Sequence, residues 1–357
     1  MARPPILRLL LPTLALCVAA TGAPAAPPAP FAVGTVVARP GQLSTGYLSV
    51  PAGVDAGLEI PVAVIAGRRP GHVVALVSGL HGTEYASILA LEALIHRIDP
   101  EQLTGTVVVL PLVNVGSFEQ KVPHVNPVDH KSMNRFFPGK PDGTQTERAS
   151  ALITREVVDK ADFLIDYHGG DLDEDLRPYS YWAPVGRESQ DRTSRHMALA
   201  FGLDHIIIDR EQPTDIRLSK YLSNTAALRG KPSLVVEAGH AGTTEPRDIA
   251  LLVEGTLNVL RYLQALPGAA PEIENPVWIE RVVTVSSSQT GVFHPLVERG
   301  TFVESGMKIG YVTDFFGNTI YEARASATGI VLYICALPSM AAGATVANIG
   351  VVAAAPP

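Results

Sequence analysis

The chain has 357 residues and carries 35 acidic side chains against 28 Lys and Arg, which gives a formal net charge of −7. Lys and Arg do not cluster into a basic patch in the sequence, and this argues against nucleic acid as a partner. The length is sufficient for one large α/β domain and a smaller second domain.

The first 25 residues have the pattern of a secretory signal peptide. A positive start with Arg3 and Arg8 precedes an apolar run from Leu9 to Ala20, and small residues lead to a predicted cleavage site near Ala25. An uncleaved membrane anchor is the alternative, but the apolar run is shorter than the ~20 residues that a bilayer requires. The sequence therefore predicts an exported protein, periplasmic or extracellular, without membrane contact after cleavage.

Cys17 lies within this segment and raises lipidation as a second alternative, although Leu16 stands where a lipoprotein signal needs a small residue. Removal of the segment leaves Cys335 as the remaining cysteine, in an apolar run that predicts a buried strand. Residues 26–40 are rich in Pro and Ala, and this composition predicts a flexible lead-in to the fold.

From residue 41 to residue 266, apolar runs of strand length alternate with apolar positions at helical spacing. The predicted strands are 73–80, 106–113, 163–167, 205–208 and 233–236. The predicted helices are one with apolar positions 88, 91, 95 and 98, one capped by Thr146 and running to Val158, and three at 189–201, 218–228 and 246–263. Strands separated by helices indicate an α/β domain with a mostly parallel or mixed central sheet flanked by helices.

A Pro- and Gly-rich linker at 267–271 marks a change of composition. From residue 275 to residue 352, short β-like pieces alternate with glycine turns, as at 291–293, 300–303, 306–310 and 329–332. This pattern predicts a small all-β C-terminal domain of the sandwich or barrel type.

Three of the predicted strands end in residues that can bind a metal ion. His81 and Glu84 follow the strand at 73–80, His168 follows the strand at 163–167, and Glu237 follows the strand at 233–236. Because reactive groups gather beyond the carboxyl ends of the strands in open α/β sheets, we expect these side chains to meet at one edge. Two His and one carboxylate form a catalytic zinc set with an open position for water, and the remaining carboxylate can act as a general base.

The alternative for the first pair is an ordinary loop histidine and a carboxylate that the helix dipole favours. The spacing supports a shared role, since residues three apart at a strand-to-helix turn point the same way. The tetrad from His81 to Glu84 is too short to decide this by itself. The occurrence of His168 and Glu237 at two other strand ends favours the metal site.

Four segments follow the motif order of a known family: Gly79–Glu84, Asn134–Gly139, Asp166–Gly170 and Glu237–Gly239. They resemble the succinylglutamate desuccinylase/aspartoacylase family, a branch of the zinc carboxypeptidase-like hydrolases, and the resemblance runs from about residue 34 to about residue 352. It is specific to the family and not to a substrate. The resemblance implies a zinc carboxypeptidase-like fold and one zinc ion per chain on His81, Glu84 and His168, with Glu237 as the base.

The same resemblance implies that Asn134 and Arg135 hold a carboxylate of the substrate, a role that suits the planar guanidinium fork. A loop arginine paired with a local aspartate is the alternative. Family members commonly carry a further arginine upstream that helps to polarise the carbonyl, and residues 120–125 contain none. Lys121 and His124 are the candidates to replace it, and losing such a donor costs about 10²–10³ in rate.

Several other polar residues lie close to these motifs. Asp171, with the acids at 173–175, could select a substrate that carries an amine, and a solvated loop is the alternative. His240 follows the Glu237 motif and lines the pocket or is simply buried. Asp166 points to the same side of its strand as His168, where it bonds a ligand histidine or packs in the sheet.

These features predict an exported zinc amidohydrolase that removes an acyl group from a small, carboxylate-bearing N-acyl amino acid or related compound through activated water. A zinc carboxypeptidase acting on short or cell-wall-derived peptides would use the same residues and is the alternative enzyme. A non-catalytic zinc- or carboxylate-binding protein is the rival from another class; the missing arginine supports it, whereas Glu237 argues against it. The sequence leaves an oligomer open.

Overall fold

The computed structural model describes Met1 and residues 29–357. Apart from Met1, the predicted signal peptide and Cys17 lie outside the described residues. Among those residues, no helix combines the length and the apolar character needed to cross a membrane.

The strands of the described residues are β1 Phe31–Val33, β2 Val36–Ala38, β3 Gln42–Val50, β4 Leu58–Ala66, β5 Arg69–Ser78, β6 Thr104–Leu110, β7 Phe163–His168, β8 Glu174–Leu176, β9 Tyr179–Trp182, β10 His205–Ile208, β11 Ser233–Glu237, β12 Val277–Ser286, β13 Gly291–Pro295, β14 Phe302–Val303, β15 Lys308–Thr313, β16 Thr319–Arg324, β17 Gly329–Cys335, β18 Ser339–Met340 and β19 Thr345–Val352. The α-helices are α1 Tyr85–Arg97, α2 Val115–Gln120, α3 Gln145–Ile153, α4 Glu188–Phe201, α5 Leu222–Leu228 and α6 Pro246–Tyr262.

A mixed sheet of 13 strands organises the chain, in the order β14-β17-β19-β12-β10-β9-β11-β7-β5-β6-β4-β3, with β8 paired to β17. Its centre is parallel, because β11, β7, β5 and β6 run in one direction. The neighbours β9 and β4 are antiparallel to this centre. The apolar runs of the central strands follow from burial on both faces of the sheet.

Helices cover both faces of the sheet. Helices α1, α4 and α6 pack on one face through a core that includes Leu91, Met197 and Leu257. Helices α3 and α5 pack on the other face through Ile153 and Leu222. Each helix buries an apolar stripe against the sheet, which is the layered arrangement that the alternating pattern predicts. The structure confirms the α/β class with a flanked, mixed central sheet.

The C-terminal region is all-β, as predicted, and consists of antiparallel sheets. Strands β13, β15, β16 and β18 form a separate four-stranded sheet. Strands β12, β14, β17 and β19 instead continue the central sheet, since β12 pairs in parallel with β10. A core that includes Ile279, Phe293 and Ile349 joins the two sheets. The C-terminal region therefore shares its sheet with the α/β region, and residues from both can face one cavity.

Part of the predicted flexible lead-in is ordered. Strands β1 and β2 form a hairpin whose two-residue turn contains Gly34 at φ 55°. Val33, Val36 and Ala38 alternate inward and are buried in the core on the α3 and α5 face. The prediction was wrong for these residues because a short apolar alternation outweighs the Pro and Ala composition around it.

Three element boundaries also differ from the prediction. Helix α3 is capped by Thr144 rather than Thr146, because the Thr144 backbone N–H donates to Glu147 Oε2 at 3.0 Å in a capping box. The predicted helix at 218–228 begins only at Leu222, since the carbonyl of Lys220 accepts from the Phe137 N–H at 3.1 Å. Strand β5 ends at Ser78, before the predicted residue 80.

Candidate active site

Parallel strands β5, β7 and β11 are neighbours in the sheet and bring the predicted site residues to one edge. The register places Glu237 directly beside His168, and Ser78 directly beside Tyr167. Strand β5 therefore ends one residue short of the position beside His168. The turn after β5 places His81 at the same edge of the sheet. This confirms the expectation that the strand ends meet.

The turn between β5 and α1 fixes His81 and Glu84. Gly79 begins the turn at φ 68°, a conformation that favours glycine. A Cβ at Gly82 would lie 2.3 Å from the backbone nitrogen of Phe118, so only glycine fits this close backbone approach. Glu84 stands at the residue before α1. The local sequence therefore positions both side chains before any metal binds.

Three donor atoms converge at this edge. His81 Nδ1 lies 2.6 Å from Glu84 Oε1, and His168 Nδ1 lies 3.0 Å from Glu84 Oε2. One ligand atom from each residue falls within 4.8 Å of the others, so the three can hold a metal ion. Burial disfavours the ionised form of Glu84, but the charges of His168 and His81 outweigh it and lower the pKa of this carboxyl to about 2.

Asp166 supports the assignment of His168 as a ligand. This carboxylate is fully buried, and neither of its oxygens has a hydrogen bond from the described residues. In the part of the chain that the structure describes, its one ion-pair partner is His168, whose Nε2 lies at 3.2 Å. His168 Nε2 faces Asp166 at 3.2 Å and the Asn134 side-chain nitrogen Nδ2 at 3.0 Å, so that Nδ1 points toward Glu84. A proton held at Nε2 beside Asp166 would leave the Nδ1 lone pair for a metal. Two imidazoles and a carboxylate with this support fit a divalent transition metal.

Asp166→Asn is expected to weaken metal binding about 10–100-fold, because the amide cannot orient and polarise His168 as the carboxylate does. Competition with a chelator of known affinity measures this change. Asp142→Asn is the matched control, since Asp142 is exposed. An Asp166→Asn protein with the metal affinity of the unmodified chain would show that Asp166 only packs within the sheet.

Glu237 lies at the same edge without belonging to the group of ligand atoms. It sits between β7 and β9, with His168 on one side and Tyr179 on the other. Burial raises the pKa of its carboxyl well above the usual value; His168 opposes this, and Glu84 and Glu174 add to it. The positive charge of a bound ion would act in the lowering direction. Such a carboxylate can accept a proton at the cavity.

Asn134 and Arg135 lie on a one-turn 3-10 helix, Met133–Arg135, beside this edge. The Asn134 side chain is fixed, because its Oδ1 accepts from the Leu222 N–H at 2.9 Å. The Arg135 guanidinium lies 4.7 Å from the centre of the Tyr221 ring and donates to the Asn134 carbonyl at 2.7 Å. Among the described residues, no carboxylate pairs with Arg135, so the local aspartate partner of the alternative interpretation is not found. The guanidinium faces the cavity, and its role in substrate binding stays a prediction.

The candidates for the missing arginine occupy different places. Lys121 is exposed, at the left-handed residue that ends α2, and does not line the cavity. His124 does line the cavity, but its Nε2 lies 2.9 Å from Asp173 and its Nδ1 lies 3.2 Å from Asp171. Burial disfavours its charged form, yet the bond to Asp173 and the charge of Asp171 raise its pKa to about 9. His124 is thus a cation with both ring nitrogens engaged.

Asp171 and His240 lie behind the cavity wall. Asp171 is fully buried and accepts from Thr83 Oγ1 and from the His124 N–H, the latter at 3.0 Å. It therefore ties together the loops that carry His81 and His124. His240 lies 3.9 Å from Asp175 and does not line the cavity. The structure brings neither side chain into the cavity.

The cavity has a volume of about 580 Å³ and contains residues that the sequence did not point to. Those from the α/β region are Ser132, Leu176, Tyr179, Tyr181, Asp209, Gln212, Tyr221, Ser223 and Val235, and those from the C-terminal region are Tyr333 and Asn348. Of the acids at 173–175 that the sequence pointed to, Glu174 lines the cavity. Tyr179 and Tyr181 alternate in β9 and share a face, which is a weak sequence signal because the strand has only four residues. No local sequence pattern indicates that Tyr333 and Asn348 line the cavity.

Comparison with known families matches residues 70–263 to the succinylglutamate desuccinylase/aspartoacylase catalytic domain. The chain is also 29% identical over 297 residues to the N-alpha-acetyl-L-2,4-diaminobutyric acid deacetylase of Halomonas elongata, covering 80% of this chain and 85% of the relative.

Solved structures show the same fold. The product-bound ectoine utilization protein EutE (DoeB) of Ruegeria pomeroyi superposes with a TM-score of 0.79 at 25% identity, covering 91% of this chain and 98% of that chain. A succinylglutamate desuccinylase/aspartoacylase from Rhodobacter sphaeroides gives a TM-score of 0.77 at 24% identity, covering 88% and 96%. The family match spans more than half of the chain and includes the strand ends that form the site, so the chain belongs to the succinylglutamate desuccinylase/aspartoacylase family.

Proposed function

We propose that this protein is a zinc-dependent amidohydrolase that deacylates a small N-acyl amino acid bearing a carboxylate. The observation that carries the proposal is the convergence of His81, Glu84 and His168 with Glu237 at the edge of one cavity. The family match supports a hydrolase acting on amides. The relative from Halomonas elongata is named as a deacetylase of an N-acetylated amino acid, which supports this substrate class.

Each residue has a task in this reaction. Arg135 pairs with the substrate carboxylate through its guanidinium and sets the position of the amide. Glu237 takes a proton from the attacking water and passes it to the leaving amine. His81, Glu84 and His168 would hold a zinc ion, and when bound it would supply the Lewis acidity that polarises a carbonyl and lowers the pKa of water toward ~7.

The cavity supports a small substrate over a peptide. Its volume of about 580 Å³ falls within the ~300–1,000 Å³ of sites for small molecules. Residues of β9, of the loop with Arg135 and of the C-terminal region, such as Tyr333, line the cavity. A carboxypeptidase acting on longer peptides needs a groove that continues beyond these residues.

Export to the periplasm or the outside is part of the proposal and rests on residues 1–25 of the sequence. Expression of the full chain with cell fractionation tests it. The expected result is an exported protein whose mature N-terminus follows residue 25. A cytoplasmic protein that keeps Met1 would contradict export and would leave the proposed chemistry unaffected.

The proposed activity is tested by metal analysis together with a panel of N-acetyl and N-succinyl amino acids and short peptides, with the products identified by mass spectrometry. We expect one zinc ion per chain and release of an acyl acid. Release of free amino acids from peptide C-termini would favour the carboxypeptidase. Zinc without cleavage of any compound in the panel would contradict the proposed activity.

Arg135→Ala is expected to lower kcat/KM for carboxylate-bearing substrates about 10–100-fold, mainly through KM, because a charge-assisted hydrogen bond contributes about 1.5–3 kcal/mol. Arg135→Lys should recover part of this loss, since Lys keeps the charge without the planar fork. Arg192→Ala, at an exposed position of α4, is the control. A KM unchanged in Arg135→Ala would remove Arg135 from substrate binding.

A further inference from the structure

Glu174 is a carboxylate in the cavity that the proposed mechanism does not use. It lines the cavity together with the metal-site residues and Glu237. One carboxylate oxygen, Oε2, accepts from the Asp171 N–H at 3.1 Å, and this is its only side-chain hydrogen bond among the described residues. No Lys, Arg or His of the described part of the chain forms an ion pair with it. The second oxygen is therefore available to a ligand.

The position of Glu174 is fixed from several sides. It begins β8, where it lies opposite Cys335 of β17. Its carbonyl accepts from the Ala241 N–H at 2.7 Å, and its own N–H donates to the Asp171 carbonyl at 3.0 Å. The strand pairing and these two bonds hold the backbone before a ligand arrives. A carboxylate held in this way is suited to select a ligand rather than to adapt to it.

The charges around the cavity compensate Glu174 only in part, because His124 favours its ionised form but burial and the charge of Glu84 outweigh that effect. The nearby cation, His124, is already shared between Asp171 and Asp173. Within residues 29–357, Asp209, a further carboxylate of the cavity, accepts only from neutral donors, the Gln212 side chain at 2.6 Å and the Glu211 N–H at 3.2 Å. A partly buried carboxylate without a cation is unfavourable.

Burial, and then the charge of Glu84, raise the pKa of Glu174 to about 7. An ammonium beside this carboxyl would restore its ionised form. Tyrosine rings complete the surroundings, because Tyr179 and Tyr333 line the same cavity and are 6% and 5% exposed. The charge of Glu174 reaches both phenols, where it adds to the effect of burial in raising their pKa values. Aromatic rings beside a carboxylate can add to the binding of a cation that approaches their faces.

We propose that Glu174 binds an ammonium on the side chain of the N-acyl amino acid, and that the enzyme therefore prefers N-acyl diamino acids. This inference rests on the proposed function, since it places the substrate's carboxylate at Arg135 and its acyl amide beside Glu237. The ammonium would then meet Glu174 within the same cavity. Selection by charge at this position is specific, because a neutral side chain leaves the carboxylate uncompensated.

Three Nα-acetyl amino acids test the proposal. Those of L-2,4-diaminobutyrate and L-norvaline have side chains of equal length that end in an ammonium and a methyl, and that of L-glutamate has a side chain one atom longer that ends in a carboxylate. With the zinc-loaded protein, kcat/KM for the ammonium compound is expected to exceed that for the methyl compound about 10–100-fold, the range of one charge-assisted bond. In Glu174→Gln the ratio should approach one. In Glu174→Asp, which keeps the charge but withdraws it by one methylene, the ratio should fall between these values.

Asp175→Asn is the matched control, because Asp175 is the next residue of β8 but pairs with Arg299 at 3.1 Å and lies outside the cavity. It should keep the preference of the unmodified chain. A preference for the ammonium compound that persists in Glu174→Gln, or an unmodified protein that hydrolyses the ammonium and methyl compounds equally, would overturn the subsite.

Calorimetry separates failure of the subsite from failure of the proposed function. Free L-2,4-diaminobutyrate and L-norvaline are titrated into the zinc-loaded protein, so that no turnover is required. Tighter binding of the diamine that is lost in Glu174→Gln supports the subsite, even if none of the three acetyl compounds is hydrolysed and the proposed activity fails. Equal affinity for the two amino acids overturns the subsite, even if deacylation is observed.

Discussion

Glu237→Gln is expected to reduce kcat about 10²–10⁴-fold while the protein still binds one zinc ion per chain. Glutamine has nearly the same shape as glutamate, but its amide cannot take a proton from water. The structure supports separate effects on catalysis and on metal binding, because Glu237 lines the cavity without joining the converging ligand atoms. Steady-state kinetics with an N-acyl amino acid and metal analysis of the same preparation measure both quantities.

Glu119→Gln, at an exposed position of α2, is the control for this experiment. It should change neither kcat nor zinc content. An unaltered kcat in Glu237→Gln would contradict the assignment of Glu237 as the general base. Loss of zinc together with activity would place Glu237 among the ligands, and the general base would then have to be sought elsewhere in the cavity, with Glu174 as the next candidate.

The centre of the site could be predicted from the sequence because its geometry follows from a few local rules. His168 and Glu237 each end an apolar run, and the two runs become neighbouring parallel strands in register. The glycine turn before α1 then carries His81 and Glu84 to the same edge. Buried parallel strands read as continuous apolar segments, so the sequence marks both the strand and the point where it ends.

The wall of the cavity could not be predicted in this way. Tyr333 and Asn348 reach the site because β17 and β19 continue the central sheet through β12. Tyr333 is more than 90 residues from Glu237 along the chain, and no short-range pattern encodes that contact. The four-residue strand β9 is likewise too short for a reliable periodicity, although its antiparallel pairing places Tyr179 beside Glu237.

The missing arginine shows a third kind of limit. The sequence shows that the arginine is absent from residues 120–125 and leaves Lys121 and His124 as candidates to replace it. It could not show where their side chains point. The left-handed backbone at Lys121, φ 55°, leaves that residue exposed at the end of α2. His124 reaches the cavity, yet Asp171 and Asp173 engage both of its nitrogens. Neither residue presents a free donor to the cavity, so carbonyl polarisation in the proposed mechanism depends on the zinc site.

His168→Ala is expected to yield protein without zinc and without hydrolase activity. One of three ligands is lost, and the two that remain, His81 and Glu84, form an incomplete catalytic set. A second effect follows from Asp166, which is fully buried and has His168 as its close partner at 3.2 Å. Leaving that carboxylate unpaired should destabilise the fold by about 3–5 kcal/mol. Metal analysis and denaturant unfolding measure the two effects separately.

A double variant distinguishes these effects, because Asp166→Ala in the His168→Ala background removes the unpaired carboxylate without restoring a ligand. Stability should recover in part, whereas zinc binding and activity should stay absent. His96→Ala, at an exposed position of α1, controls for loss of a histidine. In the unmodified chain, chelation should abolish hydrolysis and added zinc should restore it. Activity that survives both chelation and His168→Ala would contradict metal-dependent catalysis, since Glu237 alone does not polarise the amide carbonyl.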